Sequence, residues 1–239
     1  MLEGKVVVVT GAAQGIGRYI SHTFAKAGAH LAIADIGSLD QVEGELRAMD
    51  AEVLAVSTDV TNEGQVEALM QQVVDRFGRI DVLVNNAAIV PHFAWGGPRW
   101  NPIRDLDKAF WDKVINTNLG GTVICSKYAI RHMRNQGSGH IISLYGGGSG
   151  PGAAAYVVSK DAIKSLTHFI AEEERDSNIC AVALGPGGTI ATEKAPDEAR
   201  QRLPGPEIAG DRFVLAAQVG MEMSGHLLNV EDGKLIIQE

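Results

Sequence analysis

Tyr156 and Lys160 stand four residues apart in the run Tyr156-Val157-Val158-Ser159-Lys160. On a helix that spacing puts both side chains on one face. A phenol alone is a poor acid–base group near neutrality, because its pKa is about 10. An ammonium held beside it favours the phenolate and draws that value toward usefulness. A packed tyrosine beside a solvated lysine is the bland alternative, so the weight of the pair depends on what surrounds it.

A second cluster lies near the N-terminus. Thr10-Gly11-Ala12-Ala13-Gln14-Gly15-Ile16-Gly17 follows the β-branched run Lys5–Thr10 and opens a segment whose Ile16, Ile20, Phe24 and Ala27 repeat at helical spacing. In that setting Gly11 allows a tight turn, Gly15 lets backbone approach a diphosphate, and Gly17 lets helix and strand pack closely. The helix start offers N–H donors and partial positive charge to an anion, with Gln14 and Ile16 as neighbours. Asp35 ends the next apolar run. A carboxylate there accepts both hydroxyls of an adenosine ribose and repels a 2′-phosphate. Ile36-Gly37-Ser38 follows with no Arg or Lys, so NAD is expected rather than NADP. Asp59-Val60 and Asn85-Asn86-Ala87-Ala88 end two further runs, where ligands bind in parallel sheets.

The elements that must position these groups alternate along the whole chain. Short apolar runs at 5–10, 30–35, 52–57, 80–84, 140–144, 179–184 and 226–230 read as strands. Amphipathic stretches between them read as helices, with Asn62 as an N-cap. Parallel strands joined by right-handed helical crossovers give one sheet with helices on both faces. The expectation is one α/β domain over residues 1–239, a doubly wound seven-stranded parallel sheet. No linker, repeat or charge block divides it.

Charge and composition exclude other classes. With 21 basic and 29 acidic residues the chain carries a net charge of −8, which argues against nucleic acid or an anionic membrane as partner. Cys125 and Cys180 read as reduced core residues, and the seven histidines show no metal-ligand spacing. No apolar run is long enough to span a membrane, and the N-terminus lacks the pattern of a signal peptide. A cytoplasmic protein without a catalytic metal is expected.

The glycine turn, Asp35, Asp59-Val60, Asn85-Asn86-Ala87-Ala88, Asn118-Leu119, Tyr156 to Lys160, Pro186-Gly187 and Ser224-Gly225 come in an order that resembles the short-chain dehydrogenases/reductases across nearly the whole chain. The resemblance implies a Rossmann-type fold, interconversion of an alcohol and a carbonyl with NAD(P), and a homotetramer. It implies Tyr156 as the proton donor or acceptor at the substrate oxygen, with Lys160 on the nicotinamide ribose. It implies Asn118 as holder of a relay water, and Pro186, Gly187 and Thr189 around the carboxamide and diphosphate. Val182 stands where the family often has Asn, and the threonine after Pro186-Gly187 falls one place late.

The family's serine, which bonds the substrate oxygen, has two readings here. Thirteen residues before Tyr156 is Ser143, whereas counting forward from Gly139 puts the slot on Gly146. Ser143 is the assignment retained, with Tyr145 and Ser149 as competing hydroxyls. A regular strand would turn Ser143 away from that slot.

Two segments, about 89–105 and 189–206, are expected to overhang the nicotinamide. The first carries Pro91, His92, Phe93, Trp95 and Trp100, which suits a small apolar or aromatic substrate. The same tryptophans would equally pack the segment onto its own body, and Arg99 and Arg104 would pair with Asp105 and Asp107. The apolar positions Val123, Ala129 and Met133, with Ile163, Leu166 and Ile170, are expected to face a neighbouring subunit. The leading reading is an NAD(H)-dependent oxidoreductase for a secondary alcohol and its ketone. A reductase of 3-oxoacyl-type substrates and a catalytically weakened nucleotide-binding protein are the alternatives. A dehalogenase of the same fold would carry Arg where Lys160 stands.

Overall fold

The computed structural model describes residues 2–91, 100–148 and 150–238. His92, Phe93, Trp95, Arg99 and Ser149, singled out above, lie outside the described residues. Eight strands form one sheet in the order β3-β2-β1-β4-β5-β6-β7-β8. They are β1 (Val6–Thr10), β2 (His30–Asp35), β3 (Val53–Ser57), β4 (Val82–Asn85), β5 (Gly139–Leu144), β6 (Ile179–Leu184), β7 (Leu227–Glu231) and β8 (Lys234–Ile237). β1 to β7 are parallel, and the strand order reverses beside β1, which opens a crevice at the carboxyl ends.

The eighth strand corrects the expected seven. Asp232 and Gly233, both at positive φ, turn the chain back so that β8 pairs antiparallel with β7, Leu228 opposite Ile237. A two-residue hairpin built on a positive-φ pair is a hairpin signal that Asp-Gly carries in sequence.

Among the described residues, eight α-helices flank the sheet: α1 (Gly15–Lys26), α2 (Asp40–Arg47), α3 (Glu63–Phe77), α4 (Lys108–Ile115), α5 (Gly121–Gln136), α6 (Ala154–Glu173), α7 (Asp197–Arg202) and α8 (Glu207–Ala216). Asn62 caps α3 by accepting from the Gln65 N–H at 3.1 Å. Strand side chains alternate between two cores. Val7, Val9, Leu31 and Ile33 pack with Ile20 and Phe24 of α1 and Phe213 of α8. Val6, Val8 and Ile141 pack with Leu69 and Met70 of α3, Met133 of α5 and Ile170 of α6.

That second core overturns part of the assembly argument. Ala129, Met133 and Ile170 are buried against the chain's own sheet, because one face of β1, β4, β5 and β6 needs both α5 and α6 to cover it, and Ile163 is buried within the chain as well. Val123, at 42% exposure, is the member of that set left open, and Val158 and Phe169 join it on the same helices. Arg104 pairs with Asp105 at 3.1 Å, and Trp100 meets Phe110 edge-on at 4.8 Å, so this tryptophan packs onto its own body. No helix among the described residues is long and apolar enough to cross a membrane.

Candidate active site

One cleft of about 1740 Å³ runs along the carboxyl ends of the strands. Gly11, Gln14, Gly15, Ile16, Gly17, Asp35, Ile36, Asp59, Val60, Asn86, Ala87 and Ala88 line one end of it. Tyr156, Pro186, Gly187 and Thr189 line it as well, with Tyr145 and Gly146 to Gly148. Every residue expected around a dinucleotide, Lys160 excepted, therefore faces a single crevice.

The glycine turn is drawn tight by its neighbours. A Cβ on Gly11, at φ +67°, would stand 2.7 Å from Ala87 Cα, and one on Gly17 would overlap the Gly11 carbonyl oxygen. Asn86 locks this approach, donating from Nδ2 to the carbonyls of Thr10 and Gly11, each at 2.9 Å. The Thr10 hydroxyl accepts from the Asn86 and Ala87 N–H groups. Asn86 thus ties β1 to β4, and its neighbours Ala87 and Ala88 present the wall. Asp35 accepts from the Ala13 N–H through one oxygen and from the Gly37 N–H through the other, both at 2.9 Å. Its carboxylate is held at the cleft edge by the turn itself. Asp59 Oδ1 accepts from the N–H and the hydroxyl of Thr61, which closes its own turn.

A group that sequence reasoning missed sits at the start of α1. Glu193, from the segment after β6, accepts the Gly15 N–H at 2.6 Å. A carboxylate is seated where the N-terminus of α1 attracts anions. The chain's own anion thus occupies this turn. No sequence periodicity links residues 178 apart, so nothing pointed to Glu193.

At the chemical end, α6 brings Tyr156 and Lys160 to one face. Lys160 is 1% exposed and donates from Nζ to the Leu144 carbonyl at 2.8 Å. Burial pushes its ammonium down to about 8. Burial also pushes the Tyr156 phenol up to about 12, with the nearby Tyr145 adding to it. The expected lowering of Tyr156 by Lys160 is thus absent from the protein alone, where burial sets the direction of the shift.

Asn118 is fully buried in a π-helical turn at 116–120 that joins α4 to α5. Single π turns concentrate at functional sites. Its Oδ1 accepts the Ile89 N–H at 2.7 Å, and its Nδ2 donates to the Ile89 carbonyl and to Ser159 Oγ at 3.0 Å. Ser159 in turn donates to the Tyr156 carbonyl at 2.7 Å. Asn118 therefore fixes the start of the 89–105 segment to the helix that carries Tyr156.

Ser143 is not brought to the cleft. It is 2% exposed and its hydroxyl accepts from Asn85 Nδ2 at 3.3 Å, beside Ser126 of α5. β5 stays regular through Leu144, paired with β6 residue by residue. Ile142 and Leu144 face one core, so Ser143 points with Ile141 to the other. The residue next to the Tyr156 hydroxyl is Gly146, whose Cβ would overlap Tyr156 Oη. Counting forward from Gly139 finds this position; counting back from Tyr156 misses it.

The comparisons with known proteins agree with this geometry. The family model described as short chain dehydrogenase matches residues 5–202. The chain belongs to the short-chain dehydrogenase family. A cis-4-hydroxycyclohexanecarboxylate dehydrogenase of Sinomonas cyclohexanicum is 36% identical over 245 residues, 96% of each chain. A 3-oxoacyl-[acyl-carrier-protein] reductase FabG of Thermotoga maritima is 32% identical over 98% of this chain and 99% of its own. A short-chain type dehydrogenase/reductase structure from Mycobacterium marinum superposes with a TM-score of 0.83 at 27% identity, covering 95% of this chain and 93% of that one. As a short-chain dehydrogenase, the protein is an oxidoreductase that uses a nicotinamide cofactor.

Proposed function

We propose that this short-chain dehydrogenase interconverts a secondary alcohol and its ketone with NAD(H). The observation that carries the reading is the joining of Tyr156, on the helix of Lys160, with Asp35 and the glycine turn in one crevice. Gly15 and the start of α1 would hold the diphosphate once Glu193 has left. Asp35 would hold the ribose hydroxyls, and its charge disfavours a 2′-phosphate. Pro186, Gly187 and Thr189 would flank the nicotinamide, and Asp59 and Val60 the adenine. When bound, the nicotinamide supplies or takes up the hydride equivalent.

Tyr156 gives its proton to the ketone oxygen or takes it from the alcohol. Lys160 sits behind it with its ammonium on the Leu144 carbonyl, and in this reading it would bond the nicotinamide ribose and favour the phenolate. Asn118 holds α6 and the 89–105 segment in register. Ser143 acts on the framework around Asn85. The substrate is small and apolar or aromatic, and a cyclic hydroxy acid is the class suggested by the relative named for cis-4-hydroxycyclohexanecarboxylate. The FabG relatives favour 3-oxoacyl thioesters as the second class. NADH oxidation with 4-oxocyclohexanecarboxylate and with an acetoacetyl thioester tests both. Turnover of neither ketone, with NADH or NADPH, would overturn the reading.

The protein works as a cytoplasmic homotetramer in this proposal. The open apolar side chains Val123, Val158 and Phe169 on α5 and α6 support the contact. Light scattering at micromolar concentration should give four times the chain mass, and a monomeric mass would refute the assembly.

A further inference from the structure

We infer that the main-chain N–H groups of Gly146 and Gly147 hold the substrate's reacting oxygen, as the partners of the Tyr156 hydroxyl. The inference rests on the dehydrogenase reading above. As a ketone is reduced, its oxygen gains negative charge before and while it takes the Tyr156 proton. The hydride equivalent reaches carbon, the proton leaves Tyr156 Oη for oxygen, and the alcohol is complete. A donor aimed at that oxygen is worth a factor of about 10² to 10³ in rate.

Among the described residues, the two candidate hydroxyls on and just after β5 are committed elsewhere. Ser143 lies under the sheet against Asn85, and the Tyr145 hydroxyl donates to Asp161 at 3.2 Å with Lys164 over its ring. The strand end beside Tyr156 is bare backbone. Gly146, Gly147 and Gly148 line the cleft, and among the described residues none of the three makes a hydrogen bond. Unpaired N–H groups in a protein wall are costly unless water or ligand satisfies them. Gly146 also brings this backbone close to the phenol, since any Cβ there would overlap Tyr156 Oη. A substrate oxygen that touches Tyr156 Oη therefore meets the Gly146–Gly147 peptide rather than a side chain.

Proline at 147 removes one N–H and leaves the rest of the turn. Alanine at 147 is its control, because a Cβ there meets nothing nearer than the Tyr145 hydroxyl at 3.8 Å and the residue is not at positive φ. With NADH and 4-oxocyclohexanecarboxylate, Gly147→Ala sets the reference rate for a side chain at 147 with the N–H kept. Gly147→Pro should lose about 30-fold or more in kcat, with the NADH dissociation constant, ketone KM and thermal midpoint close to those of the Gly147→Ala protein. Gly146→Ser should also lose activity, because its side chain displaces the phenol. A Gly147→Pro protein within threefold of its alanine control overturns the inference, as does a Gly146→Ser protein that is faster than the original. A Gly147→Pro protein that no longer binds NADH also overturns the inference, because the N–H is assigned to the substrate oxygen and not to the cofactor. Tyr156→Phe in the same assay separates the two claims: an active Tyr156→Phe enzyme sinks the dehydrogenase reading, while a dead one beside an active Gly147→Pro enzyme sinks only this inference.

Discussion

Two glycine-rich turns follow two strands of this sheet, and they use glycine for opposite reasons. After β1, Gly11 and Gly17 are required by crowding: backbone from β4 and from the turn itself stands where a side chain would go. After β5 no backbone stands in the way: a Cβ on Gly146 would overlap the far end of the Tyr156 side chain, one on Gly148 would press on Val157 Cγ2 at 3.3 Å, and one on Gly147 meets nothing nearer than Tyr145 Oη at 3.8 Å. The first turn is a packed cradle whose helix start already holds a carboxylate. The second is an edge beside two phenols, Tyr145 and Tyr156. A packed turn can be recognised from its residues, because its glycine spacing belongs to one strand–turn–helix, although the backbone that crowds Gly11 comes from Ala87 after β4. An open turn owes its shape to what approaches it from elsewhere.

The sharpest way to break this contrast is to remove the one reactive side chain of the open edge. Tyr156→Phe keeps the ring and should lower kcat by about 10³-fold, the usual scale of a lost proton donor. NADH affinity, set by the packed turn, should stay within about threefold by fluorescence titration. A matching loss of affinity would mean that the two ends are one unit.

Lys160 tests the same end through stability. Its folded value of about 8 lies below the ordinary 10.5, so between these pH values the unfolded chain binds more protons. Stability should therefore rise with pH across that window, by up to about 3 kcal/mol from this group. Tyr156, raised to about 12, works the other way: the native state keeps its proton and stability falls as pH passes from 10 toward 12. Lys160→Met should abolish the rising limb in urea unfolding at pH 7 and pH 10 while costing most of the activity. A rising limb that survives Lys160→Met would assign it to another group.

At the packed turn, Asp35→Ser should narrow the preference for NADH over NADPH by about 30-fold, mostly through tighter NADPH binding, since removing one like charge is worth about 2 kcal/mol at an effective dielectric of 20 and somewhat longer range. Equal affinities in the unmodified protein would refute the role of Asp35. The smallest effect is expected at Glu193. A charge-assisted hydrogen bond to an exposed N–H is modest, so Glu193→Gln should tighten NADH binding about threefold to tenfold. Unchanged affinity would mean that the carboxylate leaves the turn at no cost.

The parallel strands, the helices between them and the packed turn were legible in the residues, because each rests on local pattern. β-branched runs make buried strands, Asn62 caps α3, and the glycine spacing belongs to one strand–turn–helix. β6 was read at its full extent, residues 179–184. β8 and the short α7 were not, since four partly exposed residues after an Asp-Gly turn and five polar residues around Ala199 show no clear periodicity. Counting from one end of a loop placed the hydroxyl donor on Ser143. The strand's alternation decided otherwise, as period two sends residues three apart to opposite faces.

By itself the sequence determined the fold, the family, the pairing of Tyr156 with Lys160 on one helix face and the run of groups at the nucleotide end. These follow from interactions between residues near in the chain or repeated along it. Only the tertiary structure decided that Asn118 braces Ile89 against α6, that Glu193 sits on Gly15, that Ala129 and Ile163 are core rather than contact, and that Gly146 lies against the Tyr156 hydroxyl. Each joins segments that are distant in sequence. Such contacts depend on how strands, crossovers and loops come together in space, and burial reverses even the sign of a pKa shift that the same two residues suggest on their own.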